Sequence, residues 1–129
     1  NGGSPTIMGD GSEAFDFVAV EDCAYANLCA MKSDAVDQNY NVGTGVRTSL
    51  KELAEKIVAQ TGSNQPIQYA PRSAATLVRN RIGDPQLATQ DLGYEYQIDL
   101  DEGLSRLIEW RATHKAEVET RRRAVGLGS

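Results

Sequence analysis

The 129-residue chain is predicted to be an α/β protein because short extended runs alternate with helices along its length. The clearest helix follows a glycine turn, and its apolar residues recur at spacings of three and four: Leu50, Leu53, Ala54, Ile57 and Val58. The extended runs are brief and are bounded by glycine or proline. We therefore expect a mostly helical chain with a few short strands.

The N-terminal part should begin with an unstructured entry and two extended runs. Pro5–Met8 is followed by the turn-forming residues Gly9–Ser12, and Phe15–Val20 alternates apolar with small or polar residues. Asp22 is a good helix N-cap residue. The helix behind it, Cys23–Met31, is so rich in Ala, Leu and Cys that most of its surface should be buried.

A strand, a glycine turn and a helix are predicted for residues 39–53. Tyr40–Val42 should form the strand, Gly43 and Gly45 the turn, and the helix should be entered through Thr48 or Ser49. Ser49 and the glutamate three residues later have capping-box form. The third glycine of a dinucleotide-binding G-x-G-x-x-G motif is absent, so these glycines should only turn the chain.

The remaining elements alternate in the same way. The helix that starts at Ser49 should end at Gly62, and a strand at Pro66–Ala70 and a polar loop at Arg72–Arg81 should follow. A short helix should run from Asp84-Pro85 to Leu92-Gly93, followed by an extended piece at Tyr94–Ile98. Asp99 and Glu102, in capping-box spacing, should open the last helix. Beyond Ala112 this helix turns polar and should project from the core, ending in Arg121–Arg123 as a solvated helix terminus.

The composition excludes several classes of function. With 13 basic and 18 acidic residues the formal charge is −5, which disfavours nonspecific binding to nucleic acid or anionic membranes. Cys23 and Cys29 lie six apart on a helix and face different sides, so they should be buried thiols in a reducing compartment. With His114 far away, they do not make a zinc site. No apolar run could span a membrane and the N-terminus is unlike a signal peptide, so we expect a cytoplasmic protein.

Few residues are candidates for chemistry. His114 lies on the polar terminal helix with no acid or nucleophile of obvious partnership. Asp10, Asp16 and Asp22 are spaced by six, but Asp10 suits a turn and Asp22 a cap, so acid–base catalysis is not expected of them. The loop arginines Arg72, Arg79 and Arg81 could clamp a diphosphate through forked, charge-assisted hydrogen bonds. The alternative is that they form surface ion pairs with the many carboxylates.

Three blocks, in this order, resemble those of the extended short-chain dehydrogenase/reductases. Gly9–Asp22 resembles the family's "GDGS…(R/F)DF-V-V-D" block, and Tyr40–Leu50 resembles "YN-G-G…(T/S)S". Arg81–Trp110 resembles "D-x-x-K-A…LG(W/F)…GL…W". The resemblance covers about residues 4–112. It indicates the NAD-dependent nucleotide-sugar epimerases and dehydratases, the family of UDP-glucose 4-epimerase.

This resemblance implies only the C-terminal fragment of a Rossmann-type enzyme. The family's N-terminal half carries the NAD fingerprint and a catalytic Tyr-x-x-x-Lys, whereas none of the five tyrosines here is followed four residues later by lysine. We expect NAD in the complete enzyme, no cofactor on this chain alone, no catalytic residue and no turnover. Residues 1–46 would end the nucleotide-binding domain, 47–112 would form the nucleotide-sugar-binding domain, and 113–129 would be a projecting polar helix and tail.

The resemblance also implies a substrate site. Family members hold the substrate diphosphate with two arginines, one of which falls at Phe15 here, and Arg72 is the best match for the other, followed by Arg81. Leu87 replaces the usual lysine of the short helix, and Asp16 should be structural at the domain junction. The expected partners are a UDP- or dTDP-sugar, and a Rossmann half or a second copy. The alternative is a standalone noncatalytic module that binds a nucleotide sugar or a protein.

Overall fold

The computed structural model describes residues 3–72 and 79–126. The strands are β1 (Thr6–Met8), β2 (Ala14–Phe15), β3 (Thr48–Ser49), β4 (Gln68–Ala70) and β5 (Asn80–Arg81), and the helices are α1 (Val20–Lys32), α2 (Leu50–Thr61), α3 (Gln86–Leu92), α4 (Leu100–Thr113) and α5 (Lys115–Ala124). Helices outweigh strands, so the predicted fold class is confirmed. Residues 73–78 of the predicted arginine loop, and the first two and last three residues of the chain, lie outside the described part.

Two small sheets hold the chain together. Strand β1 runs parallel to β4, with Ile7 opposite Tyr69. In the other sheet β2 is central: Phe15 lies opposite Thr48 of antiparallel β3 and opposite Arg81 of parallel β5. This sheet therefore joins segments from both sides of residue 46, and the domain boundary placed there stays a prediction.

The helix caps predicted from the sequence form fully at α2 and in part at α4. At the start of α2 the Ser49 hydroxyl accepts the Glu52 N–H (3.2 Å), and the Glu52 carboxylate accepts the Ser49 N–H (2.7 Å). Gly62 ends α2 in the left-handed region with φ 62°. At α4 the Asp99 carboxylate accepts the Glu102 N–H (2.9 Å), but the Glu102 carboxylate binds Arg106 instead of reaching back. Only half of that predicted box forms.

Two predicted strands are wrong or too long. Residues 33–47 contain no helix or strand, so the predicted strand Tyr40–Val42 is wrong. The Tyr40 hydroxyl instead donates to Asp91 (3.1 Å), and its ring packs against the core. The predicted run Phe15–Val20 keeps strand pairing only at Ala14–Phe15. From Asp16 onward the chain turns away from the sheet toward α1.

Asp22 is not the N-cap of α1, contrary to the sequence prediction. The helix begins at Val20 with Ala19 at the N-cap position and no side-chain cap. Asp22 is 2% exposed, and its carboxylate accepts the backbone N–H groups of Gln97 (2.9 Å) and Ile98 (3.1 Å). The carboxylate thereby satisfies buried donors far along the chain and ties α1 to the segment that precedes α4.

One cluster of buried side chains lies between α1 and α3, and other buried apolar residues lie elsewhere in the chain, among them Ile7, Ala14 and Leu104. The buried members of the cluster are Ala26, Cys29, Ala88 and Tyr94, with Tyr25, Tyr40 and Leu92 packed against them. The prediction that most of α1 is buried is wrong for the described chain, because the opposite face has no neighbouring element. On that face Val20, Leu28 and Met31 are 76%, 50% and 81% exposed.

The C-terminal helix is interrupted rather than continuous. Helix α4 ends at Thr113 and α5 begins at Lys115, with His114 between them. No residue of α5 is buried. That residues 113–129 project from the core stays a prediction. Among the described residues, no helix is both long and apolar enough to cross a membrane.

Candidate functional site

Backbone hydrogen bonds gather three segments at the start of β2. The Gly9 N–H donates to the Ala70 carbonyl (2.9 Å), which joins the turn after β1 to the end of β4. The Leu50 N–H donates to the Glu13 carbonyl (2.8 Å), which fixes the residue just before β2. Because Arg72 follows β4 by two residues, this arrangement places Arg72 next to Glu13.

Arg72 forms an ion pair with Glu13. The Arg72 Nη1 atom lies 3.3 Å from the Glu13 Oε1 atom, and the two side chains are 30% and 8% exposed respectively. The second carboxylate oxygen, Oε2, is buried and accepts no hydrogen bond from the described residues. Sequence reasoning named Arg72 but missed Glu13, since nothing local marks an acid after a turn as buried.

The other two arginines of the predicted cluster lie along β2. The Ala14 N–H donates to the Arg79 carbonyl (2.8 Å), and the Asp16 N–H donates to the Arg81 carbonyl (3.0 Å). Arg81 is exposed. Hydrogen bonds from Ser12, with a smaller contribution from the charge of Arg79, lower the pKa of the nearby Asp10 carboxyl. The structure thus brings the backbones of Arg79 and Arg81, and the side chain of Arg72, to the segment Glu13–Asp16 that contains β2.

Asp16 closes the glycine turn. Its carboxylate accepts the Thr44 N–H (3.0 Å to Oδ2), the Thr44 hydroxyl (2.6 Å to Oδ1) and the Gly45 N–H (3.0 Å to Oδ2). A Cβ atom on Gly43 would collide with this carboxylate, and Gly45 has a φ of 73°. The turn's N–H groups are therefore occupied by the chain's own carboxylate, in agreement with glycines that only turn the chain.

Comparisons with known proteins identify the family. Residues 1–43 match the model of the NAD dependent epimerase/dehydratase family. The UDP-glucose 4-epimerase of Mycolicibacterium smegmatis is 35% identical over 84% of this chain and 34% of its own length. A putative UDP-glucose 4-epimerase of Methanocaldococcus jannaschii is 38% identical over 83% of this chain and 34% of its own length.

Solved structures agree with these relatives. The UDP-glucose 4-epimerase of Thermotoga maritima, crystallised with UDP-glucose, is 34% identical with a TM-score of 0.81 over 87% of this chain and 36% of its own. The Bordetella bronchiseptica enzyme WbmF, in complex with NAD⁺ and UDP, is 28% identical with a TM-score of 0.81. The match covers 98% of this chain and 37% of WbmF. The chain corresponds to the C-terminal portion of an extended short-chain dehydrogenase/reductase of the NAD-dependent epimerase/dehydratase family.

This epimerase/dehydratase portion spans about a third of the length of the relatives it matches. The expectation of a Rossmann-type family fold is confirmed, since the structural neighbours are Rossmann-type epimerases and dehydratases. Similarity to these relatives does not identify the residues of a binding site. The candidate residues are chosen from the contacts around β2.

Tyr94 and His114 of this family portion are engaged in contacts within the chain. Tyr94 is 1% exposed, its hydroxyl donates to the Gly43 carbonyl (3.2 Å), and burial raises its pKa to about 12. His114 is exposed, and its ring stacks on Trp110 with centroids 4.8 Å apart. Within residues 3–72 and 79–126, no three acidic, histidine or cysteine side chains are grouped to hold a metal ion.

Two cavities of the described chain are not lined by the arginines. One cavity of about 230 Å³ is lined by Phe17, Thr44, Val46, Thr48, Lys56, Tyr96, Asp99, Leu100 and Asp101, and another open hollow lies at the end of α1. Neither is lined by Arg72 or Arg81. Sites for small molecules are normally concave, so a ligand held by these arginines would need a second wall.

Proposed function

We propose that this chain is the substrate-binding part of an NAD-dependent nucleotide-sugar epimerase/dehydratase. The observation that supports it best is the placement of Arg72, Arg79 and Arg81 around one strand of a chain whose net charge is −5. Guanidinium groups bind phosphate oxygens through forked hydrogen bonds, so this concentration of arginine suits a diphosphate. The ligand would be a UDP- or dTDP-sugar.

Arg72 and Arg81 have separate roles in this proposal. Arg72 contacts the diphosphate from the loop after β4. Arg81 lies in register with Phe15, the position at which the family resemblance has an arginine, so its guanidinium supplies the charge that Phe15 lacks. Both residues act by positioning the sugar for a reaction that occurs elsewhere in the complete enzyme.

In the complete enzyme, hydride would pass from a sugar carbon to NAD held by a Rossmann half. This chain contains neither the glycine-rich NAD fingerprint nor a Tyr-x-x-x-Lys pair, so we expect it to bind no NAD and to show no turnover alone. Residues 1–46 would complete the nucleotide-binding domain, and 47–112 would form the nucleotide-sugar domain. Residues 113–129 would project from it.

The exposed apolar face of α1 is proposed to contact the Rossmann half. Val20, Leu28 and Met31 share this face and are at least half exposed, which is unusual for residues of their kind. Without that half, a second copy of the chain would cover the same face. The proposal therefore includes self-association of the isolated chain.

The experiment is a titration of the chain with UDP-glucose, followed by NMR chemical shifts so that millimolar affinities are measurable. We expect Arg81→Ala to weaken binding about tenfold, the value of a charge-assisted hydrogen bond. Adding Phe15→Arg to that variant should restore the affinity, because the arginine returns on the neighbouring strand. Arg123→Ala, on the exposed end of α5, is the matched control. Binding that is equal in Arg81→Ala and the parent chain would remove Arg81 from the site.

A further inference from the structure

Glu13 is a buried carboxylate that the fold does not fully satisfy. Its side chain is 8% exposed, one oxygen contacts Arg72, and the other accepts no hydrogen bond within residues 3–72 and 79–126. Burying a charge with an incomplete set of partners is costly, and an apolar or amide side chain of similar size would avoid that cost. Such a group next to a candidate substrate residue calls for a functional explanation.

The two partners differ in their freedom to move. The Glu13 backbone is fixed by the bond from the Leu50 N–H, and its carboxylate packs so closely under the first turn that a Cβ on Gly9 would lie 3.0 Å from Oε1. Arg72 lies beyond the end of β4 and is more exposed. If the pair separates, the arginine is therefore the residue that moves.

We propose that Glu13 is an internal counter-ion that competes with the substrate diphosphate for Arg72 and so sets the affinity of the site. The inference rests on the proposed function, since it assumes that Arg72 binds the diphosphate. A phosphate that approaches Arg72 meets a guanidinium already neutralised by a fixed carboxylate, and is repelled by that carboxylate at short range. The ligand must share or displace Glu13, so binding is weaker than the arginines alone would allow.

The test is Glu13→Gln, in titrations of the chain with UDP and, separately, with inorganic pyrophosphate. The amide keeps the size of the side chain and an acceptor for Arg72 but removes the negative charge. We expect both dissociation constants to fall about tenfold, because the repelling charge is gone. Glu109→Gln makes the same change of charge on the exposed surface of α4 and should leave both constants unchanged. A constant that is unchanged or higher in Glu13→Gln, or a failure of both chains to bind at millimolar ligand, overturns the inference.

A double-mutant cycle separates this inference from the proposed function. Arg72→Gln should weaken UDP binding, and Glu13→Gln should then tighten it by less than in the parent chain, because the competition for Arg72 is gone and only the direct repulsion remains. If Arg72→Gln leaves UDP binding unchanged, the proposed role of Arg72 fails. If it weakens binding while Glu13→Gln alone does not tighten it, only the counter-ion role fails.

The contribution of Arg72 to binding can still be measured if Arg72→Gln leaves Glu13 unpaired and unfolds the chain. In that case, Glu13→Gln is compared with the double variant, which contains no unpaired buried charge. The loss of affinity on removing Arg72 is then measured between two folded proteins, as verified by circular dichroism. Equal affinities in that comparison would contradict the competition between Glu13 and the ligand.

Discussion

Tyr94 is the residue on which several segments depend. Its ring packs with Ala26 and Cys29 of α1, its hydroxyl donates to the Gly43 carbonyl, and its own carbonyl accepts the Thr89 hydroxyl (2.8 Å). A phenol in this position is stable only while it is protonated, since a phenolate would lose its donor and would lie near the Asp22 carboxylate.

We expect Tyr94 to make the protein sensitive to alkali. Burial raises its pKa from the ordinary 10 to about 12, so its contribution is fully present below pH 10 and is lost as the pH rises from 10 to 12. Urea unfolding should record a decrease of about 2–3 kcal/mol across that range. Tyr94→Phe should flatten this dependence, whereas Tyr69→Phe, at a half-exposed position, should not. An identical pH dependence in Tyr94→Phe and the parent chain would contradict the assignment.

At the level of single residues, the sequence predicted roles correctly where the partner is near or where the family resemblance applies. Asp16 was expected to be structural, and it is. Asp22 was expected to cap its own helix because N-cap preference is a local rule, but its partners are the amides of Gln97 and Ile98. Glu13 gave no signal at all, because its burial depends on a turn and a strand that come together only in the folded chain.

Among the elements, the helices and the strands β1 and β4 were predictable, whereas the two-residue strands were not. The end of α2 at Gly62 and the capping box at Ser49 follow from residues within one turn of each other. Strands β2, β3 and β5 are two residues long, too short for an alternating pattern to appear in the sequence. Their existence depends on pairing between distant segments.

The capping box of α2 should contribute measurably to stability. Ser49→Ala removes the hydroxyl that accepts the Glu52 N–H, and we expect the free energy of unfolding to fall by about 1 kcal/mol in urea titrations. Ser105→Ala is the matched control, because Ser105 is exposed in the interior of α4 and alanine is the better helix former there. Equal stabilities of Ser49→Ala and the parent chain would show that the cap is dispensable.

For the whole molecule, the order of elements and the family fold could be predicted, but the extent of burial could not. The composition of α1 indicated a buried helix, and in this chain only Asp22, Ala26 and Cys29 of that helix are buried. A sequence reports how apolar a helix is. It does not report whether the covering surface belongs to the same stretch of chain.

Self-association through α1 is the corresponding prediction. Sedimentation of the isolated chain should depend on concentration, because association removes the apolar face from water. Leu28→Glu with Met31→Glu should shift the chain toward the monomer. Leu107→Glu, which places the same charge on a residue that is 59% exposed in α4, should not. A parent chain that sediments as a monomer at every concentration would contradict the prediction.

The junction around Asp16 limits how the two predicted domains could move. A hinge at residue 46 would have to break the pairing of β2 with β3 and β5, whereas the bonds from Thr44 and Gly45 to Asp16 lie within residues 1–46 and would hold the end of that segment on β2. Any closure over a bound sugar nucleotide must therefore leave this junction intact. Residues 43–49 would therefore travel with β2 as one rigid piece.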